Sequence, residues 1–200
     1  MFFRFLKLFQ MVILLPIEAI WILAYYLSSQ KSKIDMDLNH FAKVQKRSVV
    51  GYRRLLVLVL NLMWVPEFRV LFLLRLGSMG YLLKYLMGRP ASFGIDVPRD
   101  KFGGGLYIQH GNGTLISVHS IGEYCWINHL VQIGFRGNGY PTIGNNVRIG
   151  VGAMILGDVK IGDNVNIGAG ALVLHDVPDN CTVCGPEATI VKRRDPLKND

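Results

Sequence analysis

The sequence predicts a mainly β chain: a parallel β-helix of six-residue period, preceded by an α-helical region. Three observations carry that expectation. Aliphatic residues recur at a fixed step of six from Ile121 onward, and glycine directly follows most of them. Before residue 90 the text changes to long apolar runs with three- and four-residue spacing and a basic excess.

The hexads come first. Ile121, Ile127 and Ile133 are followed by Ile143, Ile149, Ile155, Ile161, Ile167 and Val173, with glycine at 122, 134, 144, 150, 162 and 168. Neither 3.6 nor 2 divides this pattern, so it is neither an amphipathic helix nor a half-buried strand. Self-similarity at a fixed period signals a solenoid, and six is the period of hexapeptide β-helices. Each hexad makes a short strand and a corner, three sides close one coil, and the aliphatic residue stacks inward at a strand spacing of roughly 4.8 Å. Asparagine tolerates the left-handed backbone of such corners, hence "GNN" at 144–146 and "GDN" at 162–164. Upstream the step loosens: Leu115 is six before Ile121, Ile108 seven before that, and Phe102 six earlier. One residue is therefore expected to be inserted near "HGNGT".

Between Ile133 and Ile143 the step is ten, so Gly134 to Thr142 should leave the coil as a loop, with Gly134, Gly137 and Gly139 making it permissive. Insertions in solenoids gather on a binding face. This loop follows His129 closely in sequence and is expected to shape a pocket there.

The helical region covers residues 1–90. The run Met11–Leu27 sits at the short edge of a membrane span and contains Pro16 and Glu18. A second run, Leu55–Val65, reads as one helix broken at Pro66, followed by another from Glu67 to Met87 that Arg89-Pro90 ends. In that helix Phe68, Leu71, Phe72, Arg75, Leu76 and Met79 recur on one face. The β-helix should occupy 91–185, and 186–200 form a basic tail.

The chain of 200 residues has a formal charge of +8. Residues 1–90 carry 13 Lys/Arg and 4 Asp/Glu, a balance of +9, whereas 91–200 carry 9 and 10, a balance of −1. The basic residues are interleaved with Leu, Val and Phe, which points to an anionic membrane surface and away from nucleic acid. A span would leave the rest on the cytoplasmic side by the positive-inside rule. The expectation is a cytoplasmic protein at the inner face of the membrane, with a helical cap free of lipid as the alternative. Three cysteines, Cys125, Cys181 and Cys184, form no disulfide framework. "CTVC" lacks the second ligand pair that a zinc site needs, so no metal is expected.

Spacing also places the histidines. His110 stands two residues after Ile108, and His129 two after Ile127. Those isoleucines are one coil apart, so the two imidazoles should lie on the same side, nearly stacked. Gln109 and Asn128 form a second matching pair. His119 and His175 read as exposed corners, and His40 as a polar residue between helices.

The segments "GLYIQHGNGTLIS", "IGVGAMILGDVKIGDNVNIGAGALVL" and "DVPDNCTVCGPEATIVKR" resemble the left-handed β-helix acyltransferases, in their serine acetyltransferase-like branch. The helical N-terminal region is similar to polysaccharide-cluster members of that branch. The resemblance implies a homotrimer with acetyl-CoA bound in grooves between neighbouring β-helices, and acetyl transfer to a hydroxyl-bearing acceptor. It places the general base on His110, with Asp96 as the nearest orienting acid; His129 joins them as a candidate from the spacing alone. It places acetyl-CoA on the corners Gly152, Ala153, Gly170 and Ala171, and its 3′-phosphate on Lys192, Arg193 and Arg194. The acceptor pocket falls on Gln109, Asn128 and Tyr140. Gln109 stands where the branch has a carboxylate, and Gly139 and Tyr140 stand where it has Arg and His. Those departures favour a sugar hydroxyl of a surface polysaccharide or its precursor over serine; a non-catalytic trimeric scaffold is the third reading.

Overall fold

The computed structural model describes residues 15–86 and 93–185. The proposed tail contacts Lys192, Arg193 and Arg194, and the helix end at Arg89-Pro90, lie outside the described residues.

Among the described residues, five α-helices precede the strands: α1 (Leu15–Leu27), α2 (Lys31–Val44), α3 (Arg53–Trp64), α4 (Pro66–Leu76) and α5 (Ser78–Leu83). Helix α2 buries Ile34, Asp37, Leu38, Phe41 and Ala42, and α4 buries Phe68, Leu71, Phe72, Arg75 and Leu76. Both stripes follow the i, i+3, i+4, i+7, i+8 spacing of one helix face. Pro66 opens α4 at its first position, where the missing N–H costs nothing. The single helix expected over 67–87 is corrected: it breaks at Gly77. There φ is +63°, and a Cβ would lie 2.5 Å from Nη1 of Arg99. Among the described residues no single helix is long and apolar enough to cross a membrane; α3 and α4 pass that test only together, and they are bent by 107°.

Thirteen strands of two or three residues follow, from β1 (Gly94–Asp96) to β13 (Thr182–Val183), all paired in parallel. They form three faces. The first carries β1, β3 (Leu115–Ser117), β6 (Gln132–Gly134), β9 (Met154–Leu156) and β12 (Leu172–Val173). The second carries β4 (Ser120–Ile121), β7 (Thr142–Ile143) and β10 (Lys160–Ile161). The third carries β2 (Tyr107–Ile108), β5 (Trp126–Ile127), β8 (Arg148–Ile149), β11 (Asn166–Ile167) and β13. Ile108, Ile127, Ile149 and Ile167 stack in register down the third face, as the hexads require.

The register corrects one inward position. Ile116 pairs with Ile133 and is buried, while Leu115 points outward at 55 % exposure. The step from Ile108 to Ile116 is therefore eight and that from Ile116 to Ile121 is five. Two residues are inserted at "HGNGT", and the next corner is one short. A second inward position, two before most of the stacked aliphatic residues, adds to the core: Leu106, Cys125, Val131, Val147, Ala153, Val159, Val165 and Ala171 are all buried. Each buried aliphatic contributes about 1.5–3 kcal/mol. The glycine after the isoleucine answers to coil-on-coil approach: a Cβ on Gly150 would lie 2.6 Å from Ala169 N.

Helices and solenoid share one core through a buried ion pair. Arg75 Nε donates to Asp37 Oδ2 at 3.0 Å, with both side chains at 1 % exposure or less. Arg75 Nη1 also donates to the Phe102 carbonyl at 2.9 Å and Nη2 to the Gly103 carbonyl at 2.5 Å, while Leu106 N–H donates to Asp37 Oδ1 at 3.0 Å. The pair thus satisfies the backbone of the first turn, which no preceding coil covers. Phe41 packs against Phe68 and Tyr107, at ring distances of 5.4 and 4.6 Å, and closes the seam.

Candidate active site

His110 lies just past β2, at the corner between the third and first faces, where the two extra residues enter. It is exposed, with φ of +60°. The other left-handed positions near it belong to repeating corners: Gly113, Leu130, Gly152 and Gly170 form one series, and Tyr124, Asn146, Asn164 and Asn180 another. The asparagines of the second are joined by side-chain bonds of 2.9 and 3.0 Å. His110 belongs to neither series. A histidine held left-handed outside a repeat is strained, by about 1–2 kcal/mol, and such strain gathers at functional sites.

His129 stands one coil away, as spacing predicts. The two rings meet edge to face, at a centroid distance of 6.1 Å and an interplanar angle of 73°, instead of stacking flat. The extra residues after His110 turn its backbone and rotate the ring. His129 is half-buried, and its Nδ1 is buried with no hydrogen-bond partner among the described residues. A buried, unpaired ring nitrogen costs about 1–3 kcal/mol and is suited to taking a hydrogen bond from, or giving one to, a ligand.

Gln109 and Asn128 both line a shallow cavity of about 270 Å³ on the third face, with Trp126, Arg148 and Asn166. Gln109 Oε1 accepts from Trp126 Nε1 at 3.1 Å, and Asn128 Nδ2 donates to the Ile149 carbonyl at 3.0 Å. Thr114, fully buried, donates to the Asn128 carbonyl at 3.1 Å and ties the inserted corner down.

Four expected members stand elsewhere or face inward. Asp96 ends β1 beside Ser117, on the first face, at the far end of the strand from the His110 corner, so it does not orient that imidazole within this chain. Tyr140 lies in the loop between β6 and β7, at the corner of the first and second faces, with its ring 5.4 Å from Phe135. It is one face away from His129, because the loop leaves after β6 has been traversed. Only a neighbouring copy could bring it to a histidine corner. Ala153 and Ala171 turn their side chains into the core, so Gly152 and Gly170 alone present open corners. A Cβ on either glycine would meet nothing within 4 Å, which leaves a thin pantetheine arm room to lie along them.

Sequence reasoning missed the contribution of α2. His40 Nδ1 lies 2.6 Å from the Gly105 carbonyl, and the His40 ring sits 5.5, 6.2 and 6.1 Å from Tyr107, Tyr124 and Trp126. A carbonyl only accepts, so Nδ1 carries the proton. Burial pulls the His40 pKa down, against the raising effect of that bond. The signal was the apolar stripe of α2, which turns the neighbouring His40 toward the solenoid.

The family model for the bacterial transferase hexapeptide, described as six repeats, matches residues 140–175. The serine acetyltransferase of Synechococcus elongatus is 42 % identical over 114 residues, which cover 52 % of this chain and 47 % of that relative. The chain thus spans about half the length of that relative. The crystal structure of Neisseria gonorrhoeae serine acetyltransferase in complex with serine superposes with a TM-score of 0.59 at 26 % identity, covering 84 % of this chain and 71 % of that one. The Brucella abortus serine acetyltransferase in complex with coenzyme A, at 24 % identity and a TM-score of 0.57, covers 81 % of this chain and 67 % of its own, and shares the fold. That fold is the left-handed parallel β-helix with N-terminal helices.

Proposed function

We propose that this chain is an acetyl-CoA-dependent O-acetyltransferase in which His110 is the general base. The observation that carries the reading is the pair His110–His129, on adjacent coils of a hexapeptide solenoid that resembles serine acetyltransferases. His110 takes the proton of the acceptor hydroxyl as its oxygen attacks the thioester carbonyl. The C–S bond breaks, and the proton passes to the departing thiolate. His129 holds the acceptor or the histidine beside it, and Gly152 and Gly170 give the donor its path. A positioned base of this kind contributes roughly 10²–10⁴-fold.

L-serine is the acceptor that the relatives' names supply. A sugar hydroxyl is the second reading, favoured by Gln109, whose neutral amide is engaged with Trp126, and by Gly139 and Tyr140 in the loop. Release of CoA thiol from acetyl-CoA, with L-serine against free and acidic sugars, separates the two.

A homotrimer is part of the proposal. Leu115, Met154 and Leu172 are exposed in one register row of the first face, with Leu130 at its border, and a neighbouring copy would cover them. Contact with an anionic membrane surface is supported by α1, where Ile20, Leu23, Tyr26 and Leu27 are exposed beside the basic excess of the region. Co-sedimentation with phosphatidylglycerol vesicles, lost in Leu23→Ser/Leu27→Ser, tests that part.

A further inference from the structure

A larger cavity, about 670 Å³, opens between α2 and the third face. Its walls are Asn39, His40 and Lys43 from α2, and Tyr124, Trp126 and Arg148 from the solenoid. No carboxylate lines it among the described residues. Lys43 and Arg148 are both exposed side chains, and neither is among the ion pairs of the described residues. Arg148 lies with Cζ 4.7 Å from the centre of the Trp126 ring, so a cation and an aromatic face share one wall.

Helix α2 ends at this cavity, and a helix C-terminus by itself repels anions. Here its last carbonyls are engaged: Phe41, Ala42 and Lys43 accept from Gln45, Arg47 and Lys46 at 2.9, 2.8 and 3.1 Å. What this end of the helix offers is the Lys43 ammonium. Neutral His40, with Nδ1–H given to Gly105, keeps Nε2 as an acceptor.

The cavity adjoins the histidine corner. Trp126 and Arg148 belong to both cavities of the third face, and Trp126 Nε1 bonds the side chain of Gln109, the residue before His110. Trp126 pairs with Tyr107, three residues before His110, and its indole N–H reaches the residue next to that base, so the wall leads to the histidine corner.

We propose that this cavity binds the anionic group, phosphate or carboxylate, of a ring-bearing acceptor whose hydroxyl reaches His110. The inference rests on the acetyl-transfer reading and deepens its sugar form. Lys43 and Arg148 hold the anion, Trp126 and Tyr124 flank the ring, and His40 accepts from a hydroxyl.

Isothermal titration of the full chain with glucose 6-phosphate, glucuronate, glucose and L-serine tests it, with no acetyl-CoA present. One or both acidic sugars bind at least about tenfold tighter than glucose, and Lys43→Gln and Arg148→Gln each remove about tenfold, the worth of one charge-assisted contact. The phosphate and carboxylate arms show which anion is preferred. Equal binding of glucose and the acidic sugars, no binding of either acid, tighter binding of L-serine than of both, or wild-type binding by the Lys43→Gln/Arg148→Gln chain overturns the proposal. The two readings fail separately. Anionic binding without acetyl transfer would refute the catalytic reading alone, whereas acetyl transfer to an uncharged acceptor, unchanged in both variants, would refute this one alone.

Discussion

The rings of His110 and His129 meet edge to face with their centres 6.1 Å apart, although 19 residues of chain separate them. The in-register pairing of Ile108 with Ile127 brings them together, and the left-handed backbone of His110 sets their angle. Replacing His110 by Ala is expected to lower kcat by roughly 10²–10⁴-fold without loss of fold, since the side chain is exposed and packs in no core. His129→Ala, with a half-buried ring, should lower kcat/KM by less. Steady-state kinetics beside a circular dichroism melt separate these effects.

The left-handed conformation at His110 makes a distinct prediction. His110→Gly should be inactive yet melt no lower than the wild type, because glycine relieves strain of about 1–2 kcal/mol while adding freedom to the unfolded chain. His110→Val should be inactive and melt lower. Equal melting of the two variants would show that the corner relaxes and stores no strain.

Arg75 joins the helices to the solenoid. Arg75→Met leaves Asp37 buried without its counter-charge, and should cost about 3–5 kcal/mol in urea denaturation. Asp37→Leu/Arg75→Met should recover only part of that loss. The Phe102 and Gly103 carbonyls and the Leu106 N–H, all bonded to the pair, would remain unsatisfied.

His40 gives stability a pH dependence. Burial holds its folded pKa below the ordinary 6.5, so the neutral form is favoured by folding. Its contribution is complete above pH 6.5 and is lost as pH falls from there through the lowered value. The urea midpoint of the wild type should therefore drop between pH 7 and 5 more steeply than that of His40→Gln.

The cysteines should differ in reactivity. Burial pushes the Cys125 thiol up to about 12, while Cys184 is exposed. At pH 8 a thiol reagent should modify Cys184 quickly and Cys125 only after unfolding. Rapid labelling of Cys125 in the native protein would contradict its inward place in the coil.

The hexads were legible because a solenoid repeats one local rule: an inward aliphatic residue and a glycine that lets the next coil approach. Ile116 escaped because Leu115 keeps the step of six and is equally apolar; only pairing with Ile133 decides between them. The proximity of His110 to His129 followed from counting residues along coils. Asp96 and Tyr140 came from the resemblance, and within one chain they reach other corners of the triangle than His110 does, because position along a coil decides the corner. The α2 wall of the larger cavity could not be read at all. It depends on how a helix face docks on the third face, which Asp37, Arg75 and Phe41 fix through contacts more than 25 residues apart.

The central claim is acetyl transfer to a hydroxyl with His110 as base. The most direct measurement is acceptor-dependent release of CoA thiol from acetyl-CoA, for wild type and His110→Ala, with L-serine, glucuronate and glucose 6-phosphate in parallel. The account predicts turnover by the wild type with at least one of these acceptors and a loss of about 10²-fold or more in His110→Ala. Turnover with none of them, or an unchanged rate in His110→Ala, would contradict it.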